Sequence, residues 1–418
     1  MDIAVMCRVS RKTAAVAAAL VATLCAAGAS ADESGAPAVS FSGFGTVGVV
    51  HSSERNADFT YSAVKPRGAG FSRDWSPEVD SQIAAQVSAS FTPALTAVVQ
   101  VIAEQNYDHT YQPHVEWANI KYQFTPDFSV RAGRIVLPLF MAADSRKIGY
   151  ANPWVRPPAE VYSLVPISTS DGLDASYRLQ LGAATNSIQV TVGREDKRFP
   201  GVTAKARELM TVVNTIEHGY STLRLSYGRA RITISDFDPL FDAFRQFGPE
   251  GTALADKYNV NDRLMAFIGV GAGFDPGPWF VLGEWSQVDG KSIFGRKSAW
   301  YIGGGYRLGK LTPYAAYAAA KADNLSDPGL ALSNLPPYLA GPAIGLNAGL
   351  NELLRVKIVQ DTLTVGARWD FVRNAALKVQ FDHTRIGAGS TGGLRNLQPG
   401  FRPGGSLNVI SATIDFVF

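Results

Sequence analysis

The sequence predicts an all-β fold, a transmembrane antiparallel β-barrel of about 16 strands. Three observations support this class. Apolar and polar residues alternate along many short segments, and short turns interleave with long polar connections. After the first thirty residues, no segment approaches the 18 or more consecutive apolar residues that indicate a membrane-spanning helix. Strands, rather than helices, are therefore expected to cross the bilayer.

The composition excludes two other classes. Hydrophobic residues make up 46% of the 418 residues and aromatic residues 11%, which is enough apolar surface to exclude a disordered chain. Only 18% of the residues are charged, against roughly 25% in soluble domains. The balance of 39 basic and 36 acidic residues leaves a formal charge of +3, so no nucleic acid partner is predicted.

The first 31 residues have the three parts of a secretory signal: a basic start, an apolar run and a small-residue cleavage site. These parts are Arg8, Arg11 and Lys12, residues 14–28, and residues 29–31. The run is shorter than the roughly 20 residues that cross a bilayer. We therefore predict a cleaved signal peptide over 1–31 and one barrel domain over 32–418, with a retained helical anchor as the alternative.

The period-two pattern predicts the strands. In residues 82–91 the odd positions are Ile, Ala, Val, Ala and Phe, and the even positions are Gln, Ala, Gln, Ser and Ser. Residues 115–124 and 362–371 repeat the pattern. Because successive side chains of a strand point to opposite faces, one face is expected to meet an apolar phase and the other to meet water.

Seven short turns and eight longer polar connections interleave, which implies sixteen strands. The turns lie at 92–94, 125–127, 182–186, 218–220, 275–278, 309–310 and 372–374. The longer connections lie at 51–78, 105–114, 136–171, 194–209, 229–262, 289–297, 322–356 and 384–406. An open sheet edge in lipid would leave unpaired backbone groups, so the sheet must close. A soluble sandwich or propeller is the alternative, but long structureless loops are unusual in a compact soluble domain.

Several stretches resemble those of a known family. They are residues 42–49 (SGFGTVGV), 116–122 (EWANIKY), 130–134 (VRAGR) and 150–158 (YANPWVRPP). The last residue, Phe418, closes an alternating apolar strand, as in bacterial outer-membrane proteins. The chain thus resembles the Gram-negative outer-membrane porins, closest to a proteobacterial porin-like family related to the trimeric general porins.

This resemblance implies a location and a set of partners. The location is the bacterial outer membrane, and the partners are the lipid bilayer, lipopolysaccharide and two further copies of the chain in a homotrimer. The barrel assembly machinery would recognise Phe418. General porins fold their third loop into the lumen as a constriction, and the longest connection, about 136–171, falls at that position. The acidic Pro-Glu-Phe-Gly-Gly stretch that many general porins carry there is absent from this sequence.

Motifs for other chemistries are weak. Residues 43–48 match GxGxxG, but no helical pattern follows, so the glycines are interpreted as part of a curved strand. His109 and His114 could bind a metal, although their spacing matches no metal motif and solvated loop histidines are favoured. Ser221 lies near His218 without a GxSxG context. We therefore predict no metal, no cofactor and no enzymatic activity.

The charged residues on the water face are the candidate pore-lining groups, because a charge on the lipid face costs about 2–4 kcal/mol at the bilayer midplane. The basic candidates are Lys121, Arg131, Arg178, Arg224 and Arg368, together with Lys378. The acidic candidates are Glu104, Asp174, Glu284 and Asp382. Any one of them could simply belong to a hydrated wall. The sharper hypothesis is a basic ladder formed by Lys121, Arg131, Arg178 and Arg224 on strands four, five, six and nine.

The third loop is expected to supply the opposing charges of a constriction. Its candidates are Asp144, Arg146, Lys147, Arg156, Glu160 and Asp171. Basic side chains facing acidic ones across a narrow pore create a transverse field that sorts solutes by charge.

The sequence therefore predicts a channel for passive diffusion of small hydrophilic solutes through a water-filled pore, with a mild preference for anions. The first alternative is a substrate-specific porin in which Tyr150, Trp154 and Tyr162 of the third loop stack against a ligand. The second, from another class, is an adhesin or structural barrel whose loops carry the function.

Overall fold

The computed structural model describes residues 37–418 except 63–64, 200–201 and 324–325. This part of the chain forms sixteen long strands, each antiparallel to its neighbours, in a sheet that closes where the first strand pairs with the last. The predicted 16-strand barrel is confirmed. The predicted signal peptide, 1–31, lies outside the described residues.

The strands occur in chain order around the barrel. They are β1 (Ala38–Ser52), β2 (Gln82–Ser90), β3 (Leu95–Glu104), β4 (His114–Gln123), β5 (Phe128–Val136), β6 (Thr169–Leu181), β7 (Ala184–Phe199), β8 (Val202–His218), β9 (Ser221–Ile234), β10 (Arg263–Phe274), β11 (Trp279–Gly290), β12 (Gly295–Tyr306), β13 (Leu311–Ala322), β14 (Gln360–Val372), β15 (Ala375–Ile386) and β16 (Gly405–Val417). Because every strand pairs with the next, the topology is a simple up-and-down meander.

The alternation in sequence becomes an apolar exterior. Ile120, Ile302 and Leu363 keep 54%, 52% and 49% of their surface exposed on the outside of the barrel. Exposing so many aliphatic side chains to water would be unfavourable, but the same side chains are stable in contact with the hydrocarbon of a bilayer. The other face of each strand points into the barrel.

All seven predicted turns are present, although the one predicted at 182–186 is shorter because β7 begins at Ala184. One predicted loop is wrong. Residues 194–209 do not form a loop, because β7 and β8 continue as a hairpin with backbone pairs from Glu195–Ala206 to Phe199–Val202. The side chains of Asp196 and Arg207 form an ion pair across it. Above the bilayer both faces of a strand meet water, so the apolar alternation that identifies a strand is lost there.

The loops at the extracellular end contain helices. These are α1 (Ala159–Tyr162), α2 (Asp238–Arg245), α3 (Gly248–Tyr258) and α4 (Pro337–Arg355). Phe241 and Phe244 of α2 pack with Tyr258 of α3 and with Leu350 and Leu354 of α4 in one buried apolar cluster. Within the described residues, no helix has the length and hydropathy needed to cross a membrane.

Candidate functional site

The third loop, residues 137–168 between β5 and β6, folds into the barrel. Its Trp154 ring lies 6.3 Å from the ring of Phe280, 6.1 Å from that of Tyr301 and 6.3 Å from that of Tyr314, on β11, β12 and β13. Phe140 meets Phe267 of β10 edge to face at 5.4 Å. Loop three therefore lies against the inner surface of these strands, as expected from the sequence.

Arg156 attaches the loop to residues just before β2 and on β15 and β16. Its guanidinium donates to both carboxylate oxygens of Asp80 at 2.9 and 2.7 Å and to the Ser411 hydroxyl at 2.6 Å. A longer contact of 3.4 Å reaches Asp382. All the charged partners are buried. A buried guanidinium is stable only with such partners, so this cluster fixes the loop in one position.

Two predicted pore-lining cations also hold loop three. Lys378 is fully buried, pairs with Asp415 at 3.0 Å and donates to the carbonyl oxygens of Gly149 and Trp154 at 2.7 and 2.9 Å. Arg368 donates to the carbonyl oxygens of Tyr150 and Asn152 at 2.7 and 3.1 Å. A side chain at Gly149 would collide with Asp415, so a glycine is required at this contact.

Two buried carboxylates accept hydrogen bonds between the loop and the barrel wall. Glu284 of β11 accepts from the Met141 backbone amide at 2.7 Å and from the hydroxyls of Tyr162 and Tyr301 at 2.6 and 2.9 Å. Glu160, in the loop itself, accepts from Gln360 at 2.6 Å and Thr362 at 2.5 Å. Burial raises the pKa of Glu160, and these hydrogen bonds offset part of the rise.

Lys147 joins the loop to β3 and β4. Its ammonium lies 2.7 Å from Glu104 and 2.9 Å from Glu116. Lys65 of the first loop adds a third contact to the cluster, 3.1 Å from Glu104. Burial opposes the charge on Lys147, but the two carboxylates outweigh burial and raise its pKa above the ordinary value.

The basic ladder is only partly assembled. Lys121 and Arg131 are direct cross-strand partners, and Arg131 also lies opposite Asp174, whose carboxylate it binds at 2.9 Å. Arg178, further along β6, is exposed. Arg224 donates to the Pro138 carbonyl oxygen at 3.1 Å. Arg224 therefore contacts loop three, whereas the other three line the wall that the loop leaves uncovered.

The remaining loop candidates have different surroundings. Asp144 is exposed and acts electrostatically on Arg224. Arg146 donates to the Tyr162 carbonyl oxygen at 2.8 Å, within the loop. The sequence predicts Asp171 in the loop, and this prediction is wrong: the residue lies in β6 and pairs with Arg134 of β5 at 2.7 and 2.8 Å. Its position is odd-numbered like that of the lipid-facing Leu173, so it points away from the lumen.

The aromatic residues proposed to stack against a ligand are largely used in packing. Trp154 is 4% exposed and Tyr162 is 1% exposed. Asp80 and Glu116 also bind side chains of loop three, Arg156 and Lys147, but the sequence pattern does not identify them as site residues. Asp80 has no strand pattern around it, and an irregularity in the pairing of β3 with β4 near Gln100 displaces Glu116 from the alternation.

Sixteen strands that close into a barrel with an apolar exterior define a membrane-spanning protein of the outer-membrane type. A family model described as Gram-negative porin matches residues 14–393. The chain therefore belongs to the Gram-negative porin family and is an outer-membrane channel protein. The family and the fold indicate a channel rather than an enzyme.

Solved structures support the fold. OmpF of Salmonella typhi, in a complex with daunomycin, matches with a TM-score of 0.56 at 12% identity over 92% of this chain and 98% of that chain. The channel DcaP of Acinetobacter baumannii gives 0.53 at 12% identity over 92% and 99%. A porin from Comamonas acidovorans described as anion-selective gives 0.52 at 12% identity over 91% and 100%. Comparison of the sequence with curated proteins gives no match.

Proposed function

We propose that the protein lets small hydrophilic solutes diffuse passively across the outer membrane. The observation that carries the proposal is the one-sided packing of loop three. The loop packs mainly against β9 to β16 and is tied to β3 and β4 at Lys147 and Ser168. The inward polar residues Lys121, Arg131 and Arg178 of β4 to β6 keep accessible surface. A polar wall beside a packed loop is the arrangement of a narrowed aqueous pore.

Planar bilayer recordings test this proposal. Purified, folded protein is expected to produce discrete conductance steps in potassium chloride. Folded protein that inserts into the bilayer and remains silent would contradict a channel and favour the adhesin or structural barrel. A far-UV circular dichroism spectrum typical of β-structure provides the control for folding.

We further propose a mild preference for anions. Lys121 and Arg178 have no carboxylate within ion-pair distance among the described residues. The inward acidic groups of the neighbouring strands β3, β4 and β6 are paired, Glu104 and Glu116 with Lys147 and Asp174 with Arg131. The exposed charge on the uncovered wall is therefore positive. In a salt gradient the reversal potential should have the sign of anion selectivity, and cation selectivity would reject the preference.

We propose a homotrimer surrounded by bilayer lipid and lipopolysaccharide, on the basis of family membership. A structure of Vibrio cholerae OmpT described as a trimer form shares the fold with a TM-score of 0.51 at 9% identity. Native mass spectrometry of the purified protein tests the trimer. Phe418, which pairs with Gly43 through two backbone hydrogen bonds of 2.8 and 2.9 Å, is proposed as the residue that the barrel assembly machinery recognises.

A further inference from the structure

A cavity of about 620 Å³ lies between loop three and the extracellular loops, against the inner side of β8 to β11. Most of its lining is apolar. Loop three contributes Leu137, Leu139 and Ile167. The barrel wall contributes Phe267 of β10 and Val288 of β11, and the sixth loop, which joins β11 to β12, contributes Ile293. Its volume falls within the roughly 300–1,000 Å³ of typical ligand pockets. The passage of hydrophilic solutes does not by itself require an apolar chamber of this size.

One side of the cavity carries three cations: Lys297 of β12, Lys357 of the loop between β13 and β14, and Arg395 of the loop between β15 and β16. The Lys297 ammonium lies 4.9 Å from the centre of the Phe294 ring, and the Lys357 ammonium donates to the Asp323 carbonyl oxygen at 2.7 Å. The Arg395 Nε atom is buried without a hydrogen-bond partner. The charges of Lys357 and Arg395 both act on Lys297.

Asp323 acts electrostatically on Lys357, but within the described part of the chain Lys297 and Arg395 have no acidic neighbour of this kind. Among the described residues, no carboxylate lies within ion-pair distance of Lys297 or Arg395, and the one acidic residue of the lining, Glu195, is paired with Lys197 at 2.9 Å. Burial lowers the pKa of Lys357 to about 8 and that of Arg395 to about 10. Buried cations beside an apolar surface are costly unless an anion pairs with them.

We infer that this cavity binds an amphipathic organic anion, with its carboxylate on Lys297, Lys357 and Arg395 and its hydrocarbon body along the apolar lining. A neutral apolar ligand would leave Lys297 and Arg395 without an anion, and an inorganic anion would leave the apolar surface in contact with water. The inference rests on the proposed function in one respect, because the ligand reaches the cavity through the channel. The inference specifies the solute class that this site recognises: carboxylates with an apolar body.

Calorimetric binding to the full chain in lipid nanodiscs tests the inference, with the signal of protein-free nanodiscs subtracted. Three probes share one apolar chain: decanoate, 1-decanol and decyltrimethylammonium. Decanoate is expected to bind at least roughly tenfold more tightly than either of the others, because charge-assisted hydrogen bonds are the strong ones. Equal affinities for decanoate and decanol, or tighter binding of the cation, would overturn the inference.

Variants locate the site. Lys297→Met and Arg395→Met keep a long side chain and should each weaken decanoate binding by roughly tenfold while leaving decanol binding unchanged. Lys291→Met, an exposed lysine of the same sixth loop, is the matched control and should bind decanoate like the parent. Unchanged decanoate affinity in both test variants would place the anion elsewhere and reject the site.

Conductance of the same preparation separates the two proposals. If the protein conducts but does not prefer decanoate, the cavity inference fails and the channel stands. If decanoate binds as expected in a protein that shows no conductance steps, the site stands and the channel proposal fails. Circular dichroism of each variant ensures that a loss of binding is not a loss of the barrel.

Discussion

The inner wall carries charged side chains all round the barrel, but their surroundings differ between its two halves. On β11 and β15, Glu284, Lys378 and Asp382 are buried beneath loop three and bind its backbone or side chains. On β4 to β6, Lys121 and Arg178 keep accessible surface. We call these the covered half and the open half.

The comparison shows that the position of a charge on the inward face does not determine its role. In the covered half a charge is desolvated, so its energy depends on whether its partners remain in place. In the open half the accessible cations Lys121 and Arg178 stay hydrated and contribute little to stability, but they act on passing ions. The two halves should therefore respond to substitution in different measurements.

The largest effect is expected in the covered half. Arg156→Met would leave Asp80 and Asp382 without their shared cation, which costs about 3–5 kcal/mol when a buried pair is broken. We expect a large loss in the free energy of unfolding and a noisier, larger single-channel current, because loop three is released. Guanidinium titration and bilayer recording measure the two changes.

Arg178→Met is the matched control from the open half. The exposed side chain makes no ion pair among the described residues, so stability should change by less than about 0.5 kcal/mol. If both variants lose stability equally, or if Arg156→Met leaves the current unchanged, the distinction between the halves is wrong.

An intermediate effect is expected in the open half. The double variant Lys121→Gln/Arg178→Gln removes two cations of that wall that make no ion pair among the described residues. The preference for anions should therefore fall by roughly two- to fivefold while the free energy of unfolding stays the same. Reversal potentials in a salt gradient provide the measurement. Lys291→Gln, exposed in the sixth loop, should keep the parent selectivity, and an unchanged double variant would remove the open half from the selectivity mechanism.

The sequence predicts the barrel well because each strand carries its own two-residue period, which depends on local surroundings alone. It predicts the covered half poorly because the partners come from distant segments. Arg156 meets Asp80, 76 positions away, and Lys378 meets Gly149, 229 positions away. Alternation identifies Lys378 as inward, but only the position of loop three shows that it is not open to the pore.

Errors at the loop boundaries have the same origin. Asp171 is polar and follows a long loop, so composition favours the loop, yet backbone pairing with Arg134 extends β6 past it. Polar composition likewise predicts a loop over residues 194–209, although they pair as a hairpin. Polar residues on both faces of a segment show where the chain leaves the bilayer, not where the strand ends. The end of the strand is defined by backbone hydrogen bonding alone.

The smallest expected effect concerns a carboxyl of loop three in the covered half. Because burial raises the pKa of Glu160, the folded loop favours the protonated form. Glu160 therefore contributes its full stabilisation at pH values below the pKa that it has in the unfolded chain. That stabilisation is lost as the pH rises through the raised pKa of the folded protein. Raising the pH from about 4 to 7 should loosen loop three slightly, seen as increased current noise in bilayer recordings.

Glu160→Gln should remove that dependence, because the amide oxygen can still accept hydrogen bonds from Gln360 and Thr362 and carries no charge at any pH. At neutral pH the variant should be slightly more stable than the parent, and its current noise should be the same at both pH values. A variant that keeps the parent's pH response would assign it to another buried acid of the covered half, such as Glu284 or Asp382. A variant less stable than the parent at neutral pH would mean that the ionised carboxylate binds loop three to β14 more strongly than burial opposes it.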